Sequence, residues 1–473
     1  MWVRWLTARL AVSASRQCIA FLAGLVLLHG AVYAKQQLTL EEAILLATRC
    51  NPHVKSTQLT HLAQKFNLQV QQWEFYPHYS LQAVANTGPN RSSFTPGISL
   101  QTTAGTQFGL YGVSNFPNQR ALGLSLQIMQ PLLRGFGPAV VEAALNNAKD
   151  SATISQLMVE GTLRHTITNV IVTYLDVMMV EQMLAIDNAA LQRAKQTVQQ
   201  TTLFIRAGHK AKTELMTAKA NIASARAELI NDTNTLSQTR YALLAAIGLD
   251  PNSTLTIAPL DLTSLIKKYP LPTLNDTIAF ILKNDIQYKI DQITLHGSTS
   301  RQLFIAEDNT RWQLNMAATA VAGGNRVFYG TPHNSSVALT LQVPIDNQIE
   351  KQAVVNAKIA LEQAKLALLQ EQWNKKTDAI TQWNAVQSLQ NAVQFAREAE
   401  KFQHQTYNTN YQKYLHGLID SLELQSAQLQ LIRAQQIYVA AQINYLKALV
   451  VLDELIGRTL CTWHVPVKQI YEN

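Results

Sequence analysis

From Ala139 to Asp250 the chain has no proline, and its only glycines are Gly161, Gly208 and Gly248. From Ile345 to Val465 there is again no proline, and only Gly417 and Gly457 interrupt. Proline removes a backbone donor and glycine costs backbone entropy, so a run without either can continue as helix. Ordinary globular helices last three or four turns. Two breaker-poor stretches of this length therefore argue against the three compact domains that 473 residues would otherwise suggest. The whole chain holds 19 glycines and 14 prolines, about 7% against a usual ~12%. With 47% hydrophobic and 15% charged residues, collagen-like, disordered and disulfide-scaffold classes are excluded.

At the N-terminus Arg4, Arg9 and Arg16 precede an apolar run from Ile19 to Leu28, followed by Ala31-Val32-Tyr33-Ala34. This layout predicts a secretory signal peptide over residues 1–34; the shortness of the run and its small-residue end disfavour an anchor helix. Cys18 lacks the preceding apolar and small residues of a lipid-attachment site. Removing the segment lowers the net charge from +8 to about +5, and without basic clusters that balance does not point to nucleic acid. Cys50 and Cys461 remain in an oxidising setting, where a bond and two free thiols both fit.

The chain is written twice. An offset of 209 sets Asn147-Ala148-Lys149 over Asn356-Ala357-Lys358, Gly208 over Gly417, Glu214-Leu215 over Glu423-Leu424 and Ile247-Gly248 over Ile456-Gly457. Upstream the offset becomes 213, with Pro131 over Pro344, and then 233, with Asn51 over Asn284 and Leu81 over Leu314. Offsets that change only between elements are what loop insertions produce. The expected organisation is a first repeat at 35–258, a connector at 259–270, a second repeat at 271–465 and a tail at 466–473.

Each repeat reads in the same order. A short helix (Leu40–Cys50; Leu274–Lys283) leads into one of about 22–25 residues ending at Glu74 or Glu307. Period-two alternation follows, clearest in Leu122, Leu124, Leu126 and Ile128 and in their partners Val337, Leu339, Leu341 and Val343. Such alternation predicts strands with one apolar face, two per repeat. Segments 98–101 and 107–110 suggest an additional hairpin in the first repeat only, whose place the sequence does not fix. Helices over Ala139–Ala207 and Ile345–His416 come next, each about 100 Å at 1.5 Å per residue. Gly208 and Gly417 then turn the chain, and His209–Ile247 and Leu418–Ile456 return. Glycine suits these turns because a helix C-terminal cap needs a left-handed residue. The stripe Ile167, Val170/Ile171, Tyr174, Val177/Met178 recurs at coiled-coil spacing. The return legs are short by about the length of the helix that precedes the first strand, so the two are expected to stack end to end.

Four half-polar strands cannot span a membrane alone, because open edges leave unsatisfied backbone groups in lipid. Two chains would pool eight strands and three would pool twelve. Since about eight strands close around a filled interior, conduction favours three chains.

Leu38-Thr39-Leu40-Glu41-Glu42-Ala43 with Asn51-Pro52, the segment Gln130-Pro131-Leu132-Leu133-Arg134-Gly135-Phe136-Gly137, and the duplicated Gly-then-Glu-Leu hairpins resemble the TolC-type outer-membrane efflux and secretion ducts. The resemblance runs over essentially the whole mature chain. It implies a mainly α fold with a β-barrel contribution: a homotrimer with a 12-stranded barrel in outer-membrane lipid and a periplasmic α-helical cylinder. It also implies an outer-membrane location, a periplasmic adaptor and an inner-membrane transporter as partners, and passive conduction for efflux or type I secretion.

In that family acidic side chains ring a closed aperture at the hairpin tips. Glu423 falls where the family has an aperture aspartate; the second such position is Ser426 here, and Asp420, sharing a helix face at i and i+3, is the substitute. Tyr414 matches a tyrosine tying the tip to the neighbouring hairpin, and Glu214 its acidic partner. The plain alternative is that these are solvated residues near a turn. Pro131 and Pro344 mark the exits from barrel to helix. The family places both chain ends at a belt around the cylinder, so the resemblance allows a Cys50–Cys461 disulfide. The scattered histidines include no HExxH pattern, and no phosphate loop or G-x-S-x-G is present, so neither enzyme chemistry nor a cofactor is expected. A structural coiled-coil scaffold without channel activity would share the helices but has no need of half-apolar strands.

Overall fold

The structure, a computed structural model, describes residues 37–85, 92–116, 123–253, 256–322 and 333–465; the expected signal peptide and tail lie outside them. In chain order the elements are β1 (Gln37–Leu38), α1 (Leu40–Cys50), α2 (Pro52–Trp73), β2 (His78–Val84), β3 (Ser92–Gln101), β4 (Gln107–Phe116), β5 (Gly123–Pro131), α3 (Pro138–Val141), α4 (Ala143–Arg206) and α5 (Lys212–Ile247). Then come β6 (Thr256–Ile257), α6 (Leu262–Lys268), α7 (Leu274–Asn284), α8 (Ile286–Thr294), a π-helical turn at Leu295–Thr299 and α9 (Ser300–Asn309). The chain finishes with β7 (Gln313–Ala322), β8 (His333–Gln342), α10 (Gln348–Leu415), α11 (Ser421–Leu455) and α12 (Thr459–Thr462). The fold is mainly α with a β-sheet portion. The outgoing helices α4 and α10 run 64 and 68 residues, and the return helices α5 and α11 run 36 and 35.

The chain packs as two compact units. One comprises residues up to 56, 161–284 and from 376 onward. Its core is built on the apolar stripe of α4: Ile167, Val170, Ile171, Tyr174 and Val177 are fully buried and Met178 nearly so. Ile443, Leu446 and Val450 of α11 and Ile247 of α5 are buried in the same unit. α4 is the one described helix long and apolar enough to cross a membrane, yet this stripe is spent on the core. Tyr174 donates one hydroxyl proton where two carbonyls compete, Leu38 at 3.1 Å and Ala258 at 2.7 Å. It thereby ties down the parallel β1–β6 pair. Burial raises its pKa well above that of free tyrosine.

Asn51 splices two helices in this unit. Its Oδ1 accepts from the His53 and Val54 N–H groups at 2.8 and 3.4 Å, at the start of α2, while its Nδ2 donates to the Ala246 carbonyl at 2.8 Å, at the end of α5. One side chain thus satisfies orphan groups at two helix ends. Gly248, at φ +86°, closes the joint so tightly that a Cβ would stand 2.7 Å from Asn51 Cα. The duplicate joint repeats the bond: Asn284 Nδ2 donates to the Ile456 carbonyl at 2.9 Å, beside Gly457 at φ +79°. Cys50 is buried and Cys461 exposed, and no disulfide joins the two. The bond allowed from the sequence is not made.

The other unit comprises 57–160 and 285–375. It contains one antiparallel sheet in the order β2-β3-β4-β5-β7-β8. The expectation of two strands per repeat is corrected for the first repeat: the additional hairpin β3–β4 lies inside the sheet, so the first repeat supplies four of its strands and the second two. Pro131 is the last residue of β5, and Pro344 follows β8 by two residues. After β5, Gly135 and Gly137 adopt φ +81° and +98°, and the buried Asp308 carboxylate accepts from the Gly135 N–H at 2.7 Å. Opposite the π turn, Asp150 is ion-paired to Arg301. Gly297 makes room for it, since a Cβ there would meet the Asp150 carboxylate at 2.3 Å.

Candidate functional site

Within the first unit the two hairpin tips meet, and their turns are built alike. α4 ends at Gly208 (φ +77°), where the Gly208 N–H reaches Ile205 O at 3.1 Å and the His209 N–H reaches Phe204 O at 2.9 Å. α10 ends at Gly417 (φ +73°), with Gly417 N–H to Tyr414 O at 3.0 Å and Leu418 N–H to Lys413 O at 2.9 Å. Both glycines are needed for the left-handed backbone that lets these bonds form. Neither is needed for space, because a Cβ at either would meet nothing within 4 Å.

The return helices start differently. Ala211 offers α5 no side-chain cap, whereas Asp420 caps α11 by accepting from the Glu423 N–H at 2.8 Å. This changes the reading of Asp420. It is an extended N-cap residue whose carboxylate turns onto the helix end, not a second acid sharing a helical face with Glu423. Glu423 itself is exposed in the first turn of α11, where a negative charge is favoured by the helix dipole.

Tyr414 is fully buried, and its hydroxyl bonds Thr201 Oγ1 at 2.7 Å. The Phe204 ring stands edge-on to it at 5.8 Å, and Tyr407, Leu424, Ala427 and Leu431 complete the cluster. Burial raises the Tyr414 pKa, with the Thr201 bond opposing. The expected acidic partner, Glu214, does not bond the tyrosine. Its carboxylate takes the Lys210 ammonium at 3.0 Å, and Lys210 in turn sits 4.0 Å over the Tyr414 ring and donates to the Ile419 carbonyl at 3.2 Å. A lysine from the first tip thus spans an acid on its own side and a ring plus a carbonyl on the other. With only 7% of its side chain exposed, its cation–π contact is worth on the order of 1–2 kcal/mol. Lys210, Thr201 and Phe204 escaped the sequence reading. The Lys210–Glu214 spacing of four was the one available hint, and Lys210 lies in the turn rather than on a helix.

Farther along the same unit, Asp187 of α4 is buried beside Asp232 and Glu228 of α5 and Gln436 of α11. Burial, then the hydrogen-bonding and charged Asp232, then Glu228, push its pKa up to about 7, with Gln436 pulling the other way. Between about pH 4 and 7 the folded chain keeps a proton that an unfolded carboxyl, near 3.8, has released. Stability therefore falls as pH rises through that window. Asp187→Asn is expected to flatten the dependence and to stabilise the fold at pH 8 by on the order of 1–2 kcal/mol after solvent screening. Thermal unfolding at pH 5 and pH 8 checks this; equal pH dependence in both proteins would contradict it. Among the described residues no three His, Cys, Asp or Glu side chains gather as a metal site.

A family model described as outer membrane efflux protein matches residues 60–249 and 305–458. No curated protein matches the chain in sequence. Among solved structures, the outer-membrane channel OprN superposes with a TM-score of 0.69 at 12% identity, over 88% of this chain and 89% of that one. The outer membrane protein VceC of Vibrio cholerae gives 0.65 at 14% identity, over 88% and 96%. The CmeC outer membrane channel of Campylobacter jejuni gives 0.65 at 14%, over 88% and 85%. At such identities the likeness is one of fold.

Proposed function

Because this chain belongs to the outer membrane efflux protein family, we propose that it is the outer-membrane channel of a tripartite export system, closed at rest by its own hairpin tips. Three chains assemble the duct, with the sheet in outer-membrane lipid and the helices in the periplasm. A periplasmic adaptor engages the helices, and an inner-membrane transporter supplies the energy, so conduction through this protein is passive. The observation that carries the reading is the tie at the tips. A buried lysine and a buried tyrosine hold two hairpins of one chain together, and such a restraint has a use only if the tips part. The adaptor is the partner positioned to loosen it.

Glu423 lies one turn into α11 from this tie and is exposed. Three copies near a threefold axis form a ring of carboxylates that attracts cations and resists closing further. At contact in water each charge contributes on the order of 1 kcal/mol to a bound cation. Glu423→Ala is thus expected to weaken divalent-cation block by about tenfold or more and to raise conductance in planar bilayers. Unchanged conductance with unchanged block would remove the aperture role. Fractionation tests the wider reading: the protein should appear in outer membranes as a heat-modifiable oligomer, and recovery solely from soluble periplasm would refute the channel.

A further inference from the structure

The hairpin β3–β4 adds two strands to the interior of the sheet. Its strands are ten residues each, the 9–11 that a tilted strand needs to cross a bilayer. It sits between β2 and β5, not at an edge.

Register shows that it continues the sheet's two faces. Tyr79 pairs with Ile98, Ile98 with Leu110, Leu110 with Leu126 and Leu126 with Ala320. Leu100, Phe108, Ile128 and Ala318 form a second such row. Paired residues in a sheet share a face, so one apolar face runs unbroken from β2 through the hairpin to β7. The opposite face is also specified there: Gly97 pairs with Tyr111, whose ring lies flat along the strands. A Cβ at Gly97 would stand 2.7 Å from it and one at Gly109 2.6 Å. Two glycines thus keep the one aromatic ring of this row from projecting. A loop packed on the outside of a barrel would show neither the continuous register nor this accommodation.

The sheet ends at β2 and β8. Five successive antiparallel pairings make these two strands antiparallel to each other, so β8 of one chain can pair with β2 of the next in the same sense. Their unpaired edges are not tolerable in hydrocarbon. A second copy of this chain is the partner whose edge matches.

Resting on the trimeric channel proposed above, we infer that the barrel closes with eighteen strands, six from each chain. At a strand spacing of about 4.8 Å and a tilt of about 40°, eighteen strands close at a backbone diameter of about 36 Å, against about 24 Å for twelve. Barrels of 16–18 strands leave an aqueous channel. The outer end of this duct is then wide, and restriction of cargo falls to the tips.

The test is electron cryomicroscopy of the full chain in phospholipid nanodiscs, with planar-bilayer recordings on the same preparation. A cross-section of eighteen strands in a conducting trimer is expected, and a chain lacking residues 92–116 should close with twelve. A conducting oligomer whose wild-type barrel has twelve strands, or whose hairpin lies outside the barrel wall, overturns this inference and leaves the channel reading standing. A preparation that neither assembles nor conducts overturns the channel reading and this inference with it.

Discussion

Replacing Tyr414 with alanine is expected to unlock the hairpin tips and to destabilise the first unit by about 3–5 kcal/mol, the range for truncating a buried aromatic. The side chain is wholly buried, and its ring supports Phe204 and Lys210. Lys210 would keep Glu214 and Ile419 but lose the ring beneath it. Thr201 suffers less, since it also donates to Thr197 O at 2.7 Å. Tyr414→Phe separates the two effects: it keeps the packing and removes one hydroxyl bond, at a cost of about 1 kcal/mol. In planar bilayers Tyr414→Ala should show more frequent or larger openings than wild type, with Tyr414→Phe between them. A Tyr414→Ala channel that opens no more than wild type, though folded by circular dichroism, would show that this contact is packing and not a restraint.

Gly248→Ala carries the second large effect. A left-handed residue with a Cβ costs about 1–2 kcal/mol, and here the Cβ would also collide with backbone, at 2.7 Å from Asn51 Cα and 3.0 Å from Cys50 O. Overpacking of that kind adds about 1–3 kcal/mol, so a loss of about 2–5 kcal/mol is expected from denaturant unfolding. Gly417→Ala is the control with equal backbone cost and no collision; its loss should stay near 1–2 kcal/mol. Equal losses at the two positions would mean that the helix ends at Asn51 separate readily and the joint contributes little.

The long helices were legible because breakers are so scarce that the few present mark ends. Both hairpin glycines adopt the left-handed turn their spacing implied, and the α4 stripe is buried as its period required. The hairpin β3–β4 was half legible. Pro96 and Gly97 interrupt the alternation of β3, and Gly109 and Gly112 dilute that of β4, so only two short fragments read as a hairpin and its place in the sheet does not show. The partners of Tyr414 were illegible for another reason. Thr201 is 213 positions away, and no local pattern distinguishes it from the other threonines on α4. Spacing alone does not say whether a residue opens a helix, as Asp420 does, or lies on its face.

The two spliced joints also set an order in time. Helices of this length form within about a microsecond from neighbouring residues, but the bond from Asn51 to Ala246 closes a separation of 195 residues and that from Asn284 to Ile456 one of 172. Loops that long are slow to close, and a chain delivered from its N-terminus exposes the first half of each joint well before the second half exists. Maturation is therefore held back by topology and not by helix formation. During that interval the part of the α4 cover supplied by Ile443, Leu446 and Val450 of α11 is missing, so the unfinished chain is most prone to aggregation before its last residues arrive.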